Sequence, residues 1–283
     1  GGSPPRTRLM MEILKDLGFN SLRGDYPARW QIDMAHEMGL TYDVLAPFSV
    51  ASTAEIFGRQ DGPPLATARA VTRQFIARYQ DSAGTLLWNS CNEIGEENID
   101  FLLALHPVYR LHDPYQRPVH YANLYGQDLW QGQDVMAVNY YFSDTQKAAD
   151  RQPLIRRSAA IAKKHGLPMI YTEFNSYHGA VPTTGVEAMD ELFAWGVEEA
   201  GMAGGYFYMK GNSDRHPGVF DGGFNTHRIM NDAFHRAFDD AEITVKGVEG
   251  DVVMLAVRNK RPFTLRNIIF DLTVSGRTVD VPT

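Results

Sequence analysis

Apolar positions over the first 240 residues follow two alternating rhythms. Stretches with apolar residues three and four apart read as helices, and short apolar runs bounded by turn residues read as strands. Leu9, Met10, Ile13, Leu14 and Leu17 mark a helix over 8–17 that stops at Gly18, and a short strand follows at 19–23. Helices at 30–38 and 66–79 alternate with strands at 40–46 and 85–92. A helix over 98–112 leads to strands at 118–123 and 135–141, then a helix near 145–165 and a strand at 168–174. The series closes with a helix at 186–200, a strand at 203–210 and a helix at 226–238.

Strands alternating with helices of this length predict a parallel sheet. The runs lack strict polar alternation, as in Met169-Ile170-Tyr171, so these strands are expected to be buried on both faces. The pattern gives seven strands, where a closed (β/α)8 barrel has eight. The chain opens in a Gly/Pro/Ser loop leading into a helix. The expectation is therefore an α/β fold, a (β/α)8 TIM barrel over 1–240 with its first strand absent from this chain. An open sheet is the alternative. After Asp240 the rhythm changes. Ile243, Val245 and Val248, then 252–257, then Ile268, Phe270, Leu272 and Val274 form short β runs with no helix between them. These predict the start of an antiparallel β-sandwich module over 241–283.

Composition adds boundaries. Hydrophobic residues are 44% of the 283 and charged residues 22%, which supports a buried core and argues against disorder. A formal net charge of −7 disfavours nucleic acid and anionic membranes as partners. The single cysteine, Cys91, excludes an internal disulfide. No stretch reaches the roughly 18 apolar residues of a membrane span, and the opening GGSPPRT has no signal-peptide core. Compartment and oligomeric state stay open.

The candidate chemistry lies where two apolar runs end in glutamate. LLWNSCNEIG carries Asn92 and Glu93, and PMIYTEFNSY carries Glu173. A carboxyl group at each of two strand ends is what a retaining glycosidase needs: one protonates the leaving oxygen and the other attacks the sugar carbon. Glu93 and Glu173 are about three βα units apart, at roughly 31 residues per unit, which would set them across one barrel mouth. No Ser-nucleophile elbow and no phosphate loop is present.

The ordered set of segments resembles clan A glycoside hydrolases, the 4/7 superfamily, and within it glycoside hydrolase family 2, which holds β-galactosidases, β-glucuronidases and β-mannosidases. LKDLGFNSLRGDYPAR (14–29) is similar to the family's first helix and second strand, and DMAHEMGLTYDV (33–44) to its second helix and third strand. TLLWNSCNE (85–93) resembles its fourth strand with the Asn-Glu pair, and DPYQRPVHYAN (113–123) the entry to its fifth. DVMAVNYY (134–141) resembles its sixth strand, and PMIYTEF (168–174) its seventh, with the nucleophile. The resemblance implies a retaining β-glycosidase with Glu93 as acid/base and Glu173 as nucleophile, acting on a carbohydrate without metal or cofactor. Two features depart from it. The tryptophan that often ends the eighth strand is missing from GGYFYMKGN (204–212), leaving Tyr206 or Tyr208 to take its place. No acidic residue follows Leu45 at the end of the third strand.

Around the two glutamates, several residues are expected to bind substrate or hold the carboxylates. Glu93, as proton donor, has to hold a proton at working pH, which an aromatic-lined mouth and a nearby carboxylate favour. Asn92 would bond the sugar 2-hydroxyl. Arg23 would keep Glu173 ionised. Alternation allows only one of Tyr140 and Tyr141 to face the site. The resemblance favours Tyr141, and Asn139 beside it is a candidate substrate contact or a loop former. His120 is a candidate sugar contact or a satisfied core histidine. Trp130 is a candidate stacking platform. Lys210 would meet an acidic substituent, or be a solvated loop lysine. His178, Asp214, His216 and Asp221 match no metal-ligand spacing. Two rivals stand beside the glycosidase: a non-catalytic carbohydrate-binding barrel, and a metal-dependent barrel hydrolase using His120, His178 and Glu173.

Overall fold

A computed structural model describes residues 3–48, 65–93, 95–96, 99–124, 127, 129–142, 148–176, 202–208, 218–220, 225–226, 228–238, 241–249, 252–259, 271–274 and 277–280. The elements of the first part are α1 (Pro4–Asp16), β1 (Ser21–Asp25), α2 (Arg29–Glu37), β2 (Thr41–Leu45), α3 (Leu65–Tyr79), β3 (Thr85–Asn92), α4 (Ile99–His112), β4 (Val119–Leu124), β5 (Met136–Phe142), α5 (Ala148–Lys164), β6 (Met169–Ser176), β7 (Gly204–Phe207) and α6 (Arg228–Phe238). The helix read at 186–200 lies outside the described residues.

Local chemistry sets the boundaries. Pro4 and Pro5 occupy the first turn of α1, where a missing N–H costs nothing. Gly18 (φ 95°) and Gly39 (φ 77°) end α1 and α2 in the left-handed region that favours glycine. At the start of α2 the Gln31 side-chain Oε1 accepts the Ala28 N–H at 2.8 Å.

The seven strands form one sheet in the order β1-β2-β3-β4-β5-β6-β7, every neighbouring pair parallel. The sheet curls into a nearly closed barrel: the Ser21 hydroxyl of β1 meets the Tyr206 hydroxyl of β7 at 3.1 Å. Fold class was therefore legible from the hydrophobic rhythm. The shell between sheet and helices is packed by Met11, Ile32, Val44, Phe75, Ile76, Trp88, Leu102, Leu105 and Tyr121, each at most 1% exposed. Burying side chains of this size stabilises by about 1.5–3 kcal/mol each. Inside the barrel, Leu87, Val135, Ala137 and Ile170 make a separate apolar floor against which Tyr206 packs.

Two strands break phase just before their glutamates. Between Asn89 and Asn92, β3 carries one residue more than its partner β4. Between Tyr171 and Glu173, β6 carries one more than β5. Such bulges re-aim the side chains that follow.

The chain divides into two compact units, Gly1–Ala237 and Phe238–Thr283. In the second, β8 (Ala241–Glu249) pairs antiparallel with β9 (Val252–Asn259), and β10 (Asp271–Val274) with β11 (Arg277–Asp280). No described helix is long and apolar enough to cross a membrane.

Candidate active site

The interior side chains above the apolar floor are polar and come from six strands. Arg23 of β1 is the hub. Its Nη1 donates to Glu173 Oε1 of β6 at 2.5 Å, and its Nη2 donates to Asn92 Oδ1 of β3 at 2.6 Å. Its Nε lies 3.8 Å from Asp43 Oδ2 of β2. With the Asn89 amide turned so that its oxygen faces Arg23, that oxygen accepts from Nε at 3.1 Å and Nη2 at 3.2 Å. Burial works against the Arg23 charge. Glu173 and Asp43 outweigh it and hold the guanidinium above its ordinary range.

Glu173 is 8% exposed. Its Oε2 accepts from the Tyr141 hydroxyl of β5. Burial, and then the Glu173 charge, push the Tyr141 phenol up, so it stays an O–H donor at any working pH. Tyr141 therefore faces the site. Tyr140 turns outward, 1% exposed, its ring 6.3 Å from that of Tyr171.

Glu93 follows β3 with φ 51°, a left-handed backbone that is uncommon outside glycine and asparagine. Its Oε1 accepts from Asn139 Nδ2 at 3.0 Å, and the same nitrogen is 3.4 Å from Asn92 Oδ1. Thr172, the extra residue of the β6 bulge, donates to Asn139 Oδ1 at 2.7 Å, which fixes the amide's orientation. Glu93, Asn139, Asn92, Arg23 and Glu173 thus form one continuous hydrogen-bonded chain across the mouth. Tyr208, just beyond β7, stands with its ring 5.7 Å from that of Tyr141, edge to face. Burial, followed by the Glu173 charge, raises its phenol as well.

Some sequence expectations require correction. His120, open between a sugar contact and a core histidine, is fully buried beneath the mouth, its Nε2 2.9 Å from Asp43 Oδ1, which is the core alternative. Asn139 is also fully buried, and its amide is spent on Glu93 and Thr172 rather than on a ligand. Trp130 is not in the cluster. Its ring stacks on His165 at 3.5 Å between centroids, beside the turn that enters β6 at its N-terminal end, whereas the glutamates sit toward the strands' C-terminal ends. Lys210, His178, Asp214, His216 and Asp221 lie outside the described residues. Cys91 is buried, and burial pushes its thiol up to about 12, in keeping with a small apolar group.

Asp43, Asn89 and Thr172 were not singled out from the sequence. The signal for Asp43 was a lone acid inside the apolar run TYDVLA. Asn89 and Thr172 carried no local signal that separates them from ordinary strand polar residues. Among the described residues no group of three or more His, Cys, Asp or Glu side chains is arranged to hold a metal.

No known family profile and no curated protein matches the sequence. Solved structures do match in shape. A β-glucuronidase of an uncultured Clostridium species superposes with a TM-score of 0.71 at 18% identity, over 83% of this chain and 47% of that one. The β-glucuronidase of Ruminococcus gnavus gives 0.72 at 18% identity, over 83% and 46%. The Bifidobacterium dentium enzyme, solved with coumarin-3-O-glucuronide, gives 0.70 at 15% identity, over 83% and 43%. The chain spans less than half the length of these proteins, and what it has in common with them is the barrel fold.

Proposed function

We propose that this barrel is the catalytic core of a retaining β-glycoside hydrolase. The observation that carries the reading is the hydrogen-bonded chain from Glu93 through Asn139, Asn92 and Arg23 to Glu173. It holds one carboxyl beside a cation and a phenol, and the other beside a neutral amide, which is the asymmetry two-carboxylate chemistry requires.

In the first step Glu93 gives its proton to the glycosidic oxygen as Glu173 attacks the anomeric carbon. The aglycone leaves and a glycosyl ester forms on Glu173. In the second step Glu93 takes a proton from water, the water oxygen attacks the same carbon, and Glu173 departs as carboxylate. Two inversions give net retention. Arg23 and Tyr141 orient the attacking carboxylate and stabilise it again as it leaves. Asn92 uses its oxygen on Arg23, so its amide nitrogen is directed to a sugar hydroxyl. The ring of Tyr208 is the stacking face in place of the missing tryptophan. Lys210 remains our candidate for an acidic substituent. The hairpins after residue 241 belong, in this reading, to a β-sandwich module.

The β-glucuronidase neighbours make 4-nitrophenyl β-D-glucuronide the first substrate to try, with the galactoside, mannoside, glucoside and xyloside beside it. Proton NMR of the released sugar should show the β-anomer first. Glu173→Ala and Glu93→Ala should each lose at least 10³-fold in kcat with the fold intact. Full turnover in either variant removes the assignment, and an α-anomer as first product removes retention.

A further inference from the structure

Beneath the Arg23–Glu173 pair lies a second acid that the two-step chemistry does not use. Asp43 and His120 are both fully buried and bonded to each other at 2.9 Å. Among the described residues, Asp43 Oδ2 and His120 Nδ1 have no hydrogen-bond partner. The free Asp43 oxygen is the one turned toward Arg23 Nε, at 3.8 Å. Arg23 therefore lies between two carboxylates, Glu173 above and Asp43 below. A buried ion triplet of this kind is costly, because each charge gives up its hydration and only close pairing offsets the loss.

We infer that Asp43 and His120 are positioning residues that divide the Arg23 charge between two carboxylates and so set how strongly Glu173 is held as an anion. This rests on the glycosidase reading for its consequence, not for its geometry. His120 donates to one Asp43 oxygen and limits how far Asp43 draws on the guanidinium. Asp43 in turn keeps Arg23 from pairing with Glu173 so tightly that the carboxylate becomes a poor nucleophile. Tyr206 also faces Asp43; burial and then the Asp43 charge keep its phenol protonated, so it brings no charge of its own. The charged and titratable groups gathered around this cluster are Arg23 and Asp25 from β1, Asp43 from β2, Glu93 after β3, Tyr141 from β5 and Tyr208 after β7.

The test is carboxyl-carbon NMR of the full chain labelled at glutamate, with the Glu173 signal assigned by its loss in Glu173→Gln. Asp43→Asn removes the competing charge, so Glu173 should titrate about one pH unit lower. His120→Ala leaves Asp43 leaning wholly on Arg23, so Glu173 should titrate higher. His120→Gln keeps a donor and should return it to the wild-type value. On 4-nitrophenyl β-D-glucuronide, Asp43→Asn and His120→Ala should each lower kcat about tenfold with KM little changed, and His120→Gln should restore kcat. A folded Asp43→Asn with an unmoved Glu173 titration overturns the inference, as do shifts of the same sign in both variants. If Asp43→Asn does not fold, equal titrations in His120→Ala and His120→Gln overturn it. A wild type that cleaves no aryl glycoside defeats the glycosidase reading, while the titration still decides the role of Asp43 and His120.

Discussion

Lowering the pH should loosen the strand that carries Glu93, through a histidine outside the site. His106 of α4 is 7% exposed. Its Nδ1 is 2.7 Å from the Gly132 carbonyl oxygen, and its Nε2 is 3.3 Å from the Ser90 hydroxyl of β3, two residues before Asn92. Burial lowers its pKa from 6.5 to about 4, against an opposing pull from the Gly132 carbonyl. The unfolded chain therefore binds a proton that the folded chain refuses between about pH 6.5 and pH 4. Stability from this group is fully present above 6.5 and falls as pH drops toward 4, by up to about 1.4 kcal/mol per pH unit and about 3 kcal/mol in total. The measurement is urea unfolding of wild type and His106→Gln from pH 7 to pH 4. The variant cannot take up the proton, so the stability difference should swing by about 3 kcal/mol in its favour as pH falls. A difference constant to within about 0.5 kcal/mol would show that burial does not govern this group.

Three other outcomes follow from contacts already described. Tyr141→Phe deletes the hydroxyl donor to Glu173, a bond to a charged group worth about 1.5–3 kcal/mol, so kcat on the aryl glycoside should fall roughly 10- to 150-fold with unchanged circular dichroism. An unaltered kcat would remove Tyr141 from the reaction. Glu93→Gly relaxes the left-handed backbone at φ 51° that Glu93→Ala retains, so the glycine variant should be the more stable by about 1 kcal/mol in urea; the reverse order would mean the backbone there is not strained. Gly84→Ala would place a methyl group 2.7 Å from the Ile32 carbonyl oxygen and 2.9 Å from Ile32 Cγ2. Because the first of these is backbone, α2 must move, and a loss of about 1–3 kcal/mol is expected in the same assay. A neutral result would mean that α2 rides loosely on β3.

The sequence carried the barrel because burial on both faces leaves a coarse signature: apolar runs such as Met169-Ile170-Tyr171 spaced by helix-period stretches. It carried Glu93, Glu173, Arg23 and Tyr141 because each sits at or near the end of such a run. It did not carry depth. Trp130 read as a stacking platform and His120 as either a sugar contact or a core residue, yet Trp130 lies beside the strands' beginnings and His120 under the mouth. Which end of the barrel a loop residue reaches is set by the path of the whole connection, and among the described residues no helix marks the way from the end of β4 at Leu124 to the start of β5 at Met136. Asp43 escaped notice for a related reason. A single acid among apolar neighbours has no period, and only the arrival of Arg23 and His120 from other strands gives it a partner.

The extra residues in β3 and β6 have a consequence for how this site tolerates change in length. Strand side chains point to opposite faces at alternate positions, and each strand sets its one surplus residue aside in a bulge, so that Asn92 stays opposite Ala122 and Glu173 opposite Asn139. Deleting Thr172 would therefore leave Glu173 opposite Asn139 and remove only the hydroxyl that holds the Asn139 amide, whereas taking Thr172 up into a regular ladder would turn Glu173 outward against the helices. How far these strands tolerate a one-residue change in length is therefore set by whether the bulge can take it up.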